Sequence, residues 1–259
     1  MKTLVITGGS SGIGLATAML FSDKGWRVFE LSRHGESHDG ITHLDCDVVQ
    51  PESVRQAVAE VLRQVDGIDV LISNAGYGIS GAVEFTAPED AKRQMDVNFF
   101  GAVHAVQAVL PAMRAQRGGR ILFTSSVAAV LPVPYQAFYS ASKAAINAMA
   151  LALANEVRAF GIRVGYLMPG DVATGFTAAR DKSDKGATVY QNETKAIAAM
   201  ERDEQNGMRP EQMAAMFYKM ATRPNPSPYY VGGLTYKVFC LLNRLLPTRF
   251  VNWVEGIMY

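Results

Sequence analysis

The sequence predicts an α/β fold, a single domain with a Rossmann-like, doubly wound parallel sheet and helices on both faces. Three observations predict it: an apolar strand running through a glycine loop into a helix, β-branched runs alternating with helical stretches, and small or polar residues gathered just after the strands. The opening strand is Lys2-Thr-Leu-Val-Ile-Thr7, followed by Gly8-Gly-Ser-Ser-Gly12-Ile-Gly14 and a helix to about Lys24. Glycines allow a tight turn and let backbone N–H groups approach a pyrophosphate, whose charge is favoured at the positive end of the following helix. A dinucleotide therefore fits this segment. The spacing departs from G-x-G-x-x-G, so the physical mechanism transfers and the simple pattern does not.

The remaining elements follow in order. Arg27 to Arg33 reads as strand two, Thr42 to Asp47 as strand three and Asp69 to Ala75 as strand four. Pro51 to Val65 is a helix with proline at its start, and Pro88 to Gln116 is a second, longer helical segment. Gly119 to Ser126 is strand five, Tyr135 to Phe160 a helix and Arg163 to Met168 strand six. Ligands of such sheets bind beyond the carboxyl ends of the strands, where Gly8, Asn74, Ser126 and Pro169 all fall. Residues 175–225 are expected to form a substrate lid, because the stretch from Gly175 to Gly207 is polar and lacks a strand pattern. After a last strand at Tyr229-Tyr-Val-Gly-Gly233, residues 234–259 read as a C-terminal helical extension. Its apolar stripe of Val238, Leu241, Leu242 and Leu245 is expected to be buried against the body or a second subunit. The alternative is a peripheral membrane-surface helix edged by Lys237, Arg244 and Arg249.

Composition narrows the function. An apolar fraction of 49% over 259 residues supports a substantial core. Lys plus Arg (25) nearly balances Asp plus Glu (24), which argues against nucleic acid or a strongly anionic partner for the chain as a whole. Cys46 and Cys240 lie far apart, and His34, His38, His43 and His104 show neither zinc spacing nor a hydrolase triad, so no metal site is expected. The chain opens directly on its first strand and has no apolar run of about 18 residues, so the expectation is a cytoplasmic protein with no leader and no membrane span.

Four residues separate Tyr139 from Lys143, which places phenol and ammonium on one helix face. A tyrosine titrates near ~10 in water, so it shuttles protons at neutral pH only if a fixed positive charge favours its phenolate. Lys143 supplies that charge in this reading.

With Thr7 to Gly14, Asn74-Ala75-Gly76, Asn98, Ser126, Tyr139-x-x-x-Lys143 and Pro169-Gly170-Asp-Val172-Ala-Thr174 in order, the sequence resembles the short-chain dehydrogenase/reductase family over most of its length. The tail is similar to those of the steroid- and retinol-dehydrogenase branch. The resemblance implies that Tyr139 exchanges a proton with the substrate oxygen, Lys143 lowers the pKa of Tyr139 and Ser126 hydrogen-bonds that oxygen. It also implies that Asn98 holds a relay water near Lys143, unless its amide simply satisfies a helix kink. Cofactor contacts are implied at Gly8, Ser10, Ser11, Gly12, Ile13, Gly14, Asp47, Val48, Asn74, Ala75 and Gly76, and at Tyr139, Lys143, Pro169, Gly170, Val172 and Thr174.

At the end of strand two, where an acid would grip the ribose of NAD, this chain has Ser32 followed by Arg33. Arginine bonds phosphate well, so NADP(H) is the expected cofactor, with Ser10 as a second donor. Strand alternation is expected to keep Glu30 from the ribose. The implied activity is an NADP-dependent oxidoreductase interconverting a carbonyl and an alcohol on a lipophilic substrate of steroid, retinoid or acyl-lipid type. The alternative is an NADPH-binding regulator with little turnover. A homodimer is the expected assembly.

Overall fold

A strand flanked on both sides and covered on both faces must carry side chains that tolerate complete burial, and β1 (Thr3–Thr7) is buried at all five residues. The computed structural model describes residues 1–38, 40–182 and 185–258. Positions 183 and 184 of the expected lid, and 259 of the expected extension, lie outside the described residues. After β1 come α1 (Gly12–Asp23), β2 (Arg27–Ser32), β3 (Ile41–Asp45), α2 (Pro51–Gln64) and β4 (Val70–Ser73). They are followed by the short β5 (Ile79–Ser80), α3 (Pro88–Met95), α4 (Gly101–Ala115), β6 (Gly119–Thr124), α5 (Ala137–Glu156) and β7 (Ile162–Met168). A second short strand β8 (Asp181–Lys182), then α6 (Glu193–Gln205), α7 (Pro210–Thr222), β9 (Tyr229–Val231), α8 (Leu234–Leu245) and α9 (Thr248–Met258) complete the described chain.

Seven strands form one parallel sheet in the order β3-β2-β1-β4-β6-β7-β9. Alternation along β1 sends Leu4 and Ile6 to one face, where they meet Phe21 of α1 and Phe217 and Met220 of α7. It sends Val5 to the other, where it joins Val58 of α2, Val109 of α4 and Ile146 of α5. The doubly wound α/β fold expected from the sequence is therefore present.

Several strands end earlier than expected because side chains take over the backbone bonds. The N–H groups of Asn74 and Ala75 donate to Thr7 Oγ1, at 3.0 and 3.1 Å, which stops β4 at Ser73. Asp47 Oδ1 accepts from the Val49 N–H at 3.1 Å, a local turn that takes the chain away from β3. Ser126 caps a 3₁₀ turn by accepting from the Ala128 N–H at 3.1 Å, which ends β6. The helix expected from Tyr135 begins at Ala137, since Tyr135 takes a left-handed φ of 61°. The helical segment expected from Pro88 to Gln116 is α3 and α4 joined by one π turn, Asp96–Phe100, with Asn98 at its centre.

Two expectations need correction. Helix α7 is not lid: Met213, Phe217 and Met220 are fully enclosed with α1 against the sheet, so the covering segment stops near Asn206. That segment also contains a strand, β8, paired in parallel with β5. The second concerns α8, whose stripe is not buried against the body: Val238, Leu241 and Leu245 face outward and are 47% to 71% exposed, while Leu242 turns toward the cleft. The face turned to the body carries Tyr236, whose hydroxyl bonds Asp171, and Asn243, whose Nδ2 donates to the Val130 carbonyl at 2.8 Å. Polar anchors on one side of the helix thus leave the apolar side without a partner in this chain.

Replacing Phe217 with alanine removes a wholly enclosed ring between α7 and α1, and should cost about 3–5 kcal/mol in urea denaturation. Val189→Ala in the covering segment, where the side chain is exposed, should cost less than about 0.5 kcal/mol. Equal losses would show that α7 is not part of the body.

Candidate active site

The carboxyl ends of β1, β4, β6 and β7 open into one cleft with a volume of about 1250 Å³. At its first end the loop after β1 turns through Gly8 and Gly12, with φ of 64° and 53°. A Cβ on Gly8 would lie 2.8 Å from the Ala75 backbone, and one on Gly14 would lie 2.0 Å from the Gly8 carbonyl. Only hydrogen fits at either position. Asn74 Nδ2 donates to that same carbonyl at 2.9 Å, and Asn74 Oδ1 accepts from Thr124 Oγ1 at 2.9 Å, so one amide ties three strand ends together. The first turn of α1 carries no acidic side chain, and Ser11 makes no side-chain cap. Its N–H groups are therefore directed toward the cleft without a competing negative charge, an arrangement that suits a pyrophosphate.

Beyond the glycine loop the cleft is lined by Ser32, Arg33, His34, Asp47, Val48 and Val49. Glu30 is absent from this lining, as expected, but burial rather than strand alternation holds it back. Residues two apart on a strand share a face, and Ser32 Oγ donates to Glu30 Oε1. The Glu30 carboxylate lies buried behind Ser32 and is held from its other side by His43 Nδ1 at 3.0 Å. Burial works against the charge on His43, but its hydrogen bonds to Glu30 and Asp45 win and raise its pKa above the ordinary value. Arg33 is exposed at the cleft edge.

Tyr139, Lys143 and Ser126 line the middle of the cleft together. Lys143 is 4% exposed, donates to the Thr124 carbonyl at 2.8 Å and lies 5.8 Å from the centre of the Tyr139 ring. Burial pushes the lysine down to about 8. Burial likewise pushes the Tyr139 phenol up to about 12, against a hydrogen bond from Ser126 that pulls it back. The expected acidification of Tyr139 is thus reversed in the protein alone, because desolvation disfavours both charged forms.

Asn98 sits behind the cleft wall and is 2% exposed. Its Oδ1 accepts from the Tyr77 N–H at 3.0 Å, while Nδ2 donates to the Tyr77 carbonyl and to Ser142 Oγ, both at 3.0 Å. These three bonds hold the side chain at the π turn between α3 and α4. Val172, Thr174, Pro169 and Gly170 close the cleft beneath β7. Gly170 has a clear reason to be glycine, since the Tyr236 ring lies 2.1 Å from where its Cβ would be.

Motif reading missed Arg180 and Glu204 in the far wall. Phe176 packs 5.7 Å from Tyr139, Arg180 lies over Phe176 at 5.6 Å, and Glu204 is held by Arg180 and by Thr177 Oγ1. These pairs bridge residues 24 and 27 apart through the covering segment, a separation that carries no local signal. The same applies to Phe239, Leu242, Leu246 and Phe250, which bring α8 and α9 into the cleft wall.

Comparison with known proteins agrees with this geometry. The family model described as short chain dehydrogenase matches residues 2–185. A Bacteroides thetaiotaomicron protein named 3-ketodihydrosphingosine reductase is 40% identical over 100% of this chain and 98% of its own length. A Helicobacter pylori protein named as a probable short-chain type dehydrogenase/reductase is 30% identical over 98% and 95%. A solved short-chain dehydrogenase from Streptomyces avermitilis superposes with a TM-score of 0.84 at 27% identity, covering 94% of this chain and 92% of that one. The chain belongs to the short-chain dehydrogenase/reductase family, in the steroid/retinol dehydrogenase-like branch. It is accordingly an oxidoreductase whose fold binds a nicotinamide cofactor.

The buried ammonium yields a stability prediction. Between about 8 and the ordinary lysine value of 10.5 the unfolded chain binds a proton that the folded chain has released, so stability rises with pH across that window. Below it the desolvated charge is a burden on the fold. Lys143→Met should therefore stabilise the cofactor-free protein at pH 7 by roughly 1–3 kcal/mol, a gain that fades toward pH 10. A variant melting at or below wild type at pH 7 would show that the ammonium is not desolvated.

Proposed function

We propose that the protein is an NADP(H)-dependent carbonyl reductase acting on a lipophilic, long-chain ketone. The observation that carries this reading is the continuity of the cleft, which runs from the glycine loop past Ser126, Tyr139 and Lys143 to the apolar wall of α8 and α9. Its volume exceeds the roughly 300–1,000 Å³ of an ordinary small-molecule pocket, as a site for a dinucleotide and an extended substrate together must. The name of the Bacteroides relative makes 3-ketodihydrosphingosine the first substrate to test.

Gly8 to Gly14 would hold the pyrophosphate, Arg33 and Ser10 the ribose phosphate, Asp47 and Val48 the adenine, and Val172 and Thr174 the carboxamide end. Bound nicotinamide supplies the hydride for the carbonyl carbon. Tyr139 donates the proton to the substrate oxygen, and Ser126 hydrogen-bonds that oxygen and orients it. At neutral pH the phenol keeps its proton, so the proton to be donated is in place before substrate binds. Lys143 anchors the helix turn below Tyr139 through the Thr124 carbonyl, with Asn98 bracing the same turn through Ser142. Asn98 is thus a positioning residue in this reading.

Turnover of 3-ketodihydrosphingosine, followed by cofactor absorbance, should be faster with NADPH than with NADH. Arg33→Asp should lower kcat/KM for NADPH by about tenfold or more, as loss of a charge-assisted phosphate contact requires. A wild-type preference for NADH defeats the cofactor assignment. Tyr139→Phe should lose about 10²–10⁴ in kcat while binding dinucleotide normally. Near-normal turnover by that variant would sink the mechanism.

A further inference from the structure

Helices α8 and α9 are built inside out. On α8, Leu234, Val238, Leu241 and Leu245 recur at intervals of four, three and four residues, which is one stripe of a helix, and that stripe faces away from the body. On α9, Trp253 and Ile257, four residues apart, do the same, at 60% and 65% exposed. Eighteen large apolar side chains are exposed among the described residues, and ten of them lie between Leu234 and Ile257. This concentration makes a patch rather than the scatter normal for a surface.

The patch also has a sign. Lys237 and Arg244, seven residues apart, flank the α8 stripe, and Arg249 stands beside Phe250; all three are exposed. Glu255 is the one carboxylate in these two helices; it is part-buried on the cleft side, and burial raises its pKa. The chain as a whole carries only +1, so basic charge is gathered where the apolar side chains are. An isologous contact between two copies would bring these cations near their own counterparts, with a single part-buried acid per chain to offset them. An anionic bilayer surface offers both an apolar interior and negative headgroups. No helix among the described residues is long and apolar enough to span a membrane. At about 18 and 16 Å, α8 and α9 suit lying in the interface.

We propose that α8 and α9 form a docking surface for an anionic lipid bilayer, lying in its interface with Leu241, Leu245, Trp253 and Ile257 inserted and Lys237, Arg244 and Arg249 at headgroup level. Because the opposite sides of these helices line the catalytic cleft, docking sets the cleft mouth against the lipid. A lipophilic substrate then enters from the bilayer. Docking stands without the substrate assignment; only the route of entry rests on it.

The full chain has two tryptophans, and only one can report. Trp26 is 7% exposed against Phe21, whereas Trp253 lies in the patch. Titration with phosphatidylglycerol-containing vesicles should shift the Trp253 emission to the blue and carry the protein up a flotation gradient. Vesicles of phosphatidylcholine alone should do neither, and about 0.5 M salt should weaken the effect. Lys237→Gln with Arg249→Gln should weaken binding about thirtyfold. Leu241→Asp with Leu245→Asp should abolish it while leaving the melting curve and dinucleotide binding unchanged, since both side chains face outward.

Equal flotation on the two vesicle types, or flotation that survives the double aspartate change, overturns the proposal. So does a concentration-dependent dimer, seen by light scattering, that the aspartate pair dissolves while phosphatidylglycerol vesicles bind nothing. None of these readouts involves turnover, so a wrong substrate assignment leaves the test intact.

Discussion

A lysine ammonium held almost out of water is the constraint on which the rest of the site depends. Lys143 can remain there only because the Thr124 carbonyl, released at the end of β6, accepts from it at 2.8 Å. That bond sets the distance between α5 and the sheet, and hence the position of Tyr139 one turn earlier. The same turn is fixed from behind: Ser142 donates to the Tyr139 carbonyl and accepts from Asn98, which is clamped on both backbone groups of Tyr77. The π turn follows from this requirement. An extra residue in the turn directs Asn98 across to Ser142 while α3 and α4 continue on either side, and such bulges recur at functional sites for this kind of reason. Desolvation raises the tyrosine and lowers the lysine only to about 8, so at neutral pH the unliganded cleft holds a neutral phenol beside a buried ammonium.

The parts legible in the sequence are those whose cause is local. A glycine required by a left-handed φ, a strand buried on both faces and a pair four residues apart on a helix all leave their mark within a few positions. The alternation of strand and helix was readable for the same reason. What was not readable depends on partners far along the chain. Strand ends were misjudged wherever a side chain such as Thr7 or Asp47 took the next backbone bond. The covering segment was drawn too long because α7 is mildly amphipathic and polar at its ends; only its contact with Phe21 of α1 assigns it to the body. Glu30 stays out of the cleft for a different reason than the one expected: alternate residues of a strand lie on the same side, and it is burial behind Ser32 that withholds its carboxylate.

That burial bears on the proposed preference for NADP(H). A carboxylate directly below the strand end would oppose a ribose phosphate if it faced the cleft unneutralised. Instead Ser32 and His43 take up its oxygens from two sides, and the raised pKa of His43 keeps a compensating positive charge available at mildly acid pH and loses it as pH rises through that value. Arg33 stands one residue beyond this group and outside its hydrogen bonds. Its charge is left to the cleft.

The tail raises the opposite problem, apolar surface where water should be. A globular helix ordinarily turns its apolar stripe inward, and reversing that orientation costs about 25 cal/mol for every Å² left wet. Here the inward side is held by polar contacts: Asn243 to the Val130 carbonyl at 2.8 Å, and Tyr236 to Asp171. These bonds fix the rotation of α8 about its axis, so the helix cannot roll to bury Leu241 and Leu245 without breaking them. Both also end at the cleft. Asp171 and Asn243 are both lining residues, so the contacts that hold the apolar face outward are the ones that shape the substrate end of the site, and the orientation of the tail and the form of the pocket cannot vary independently.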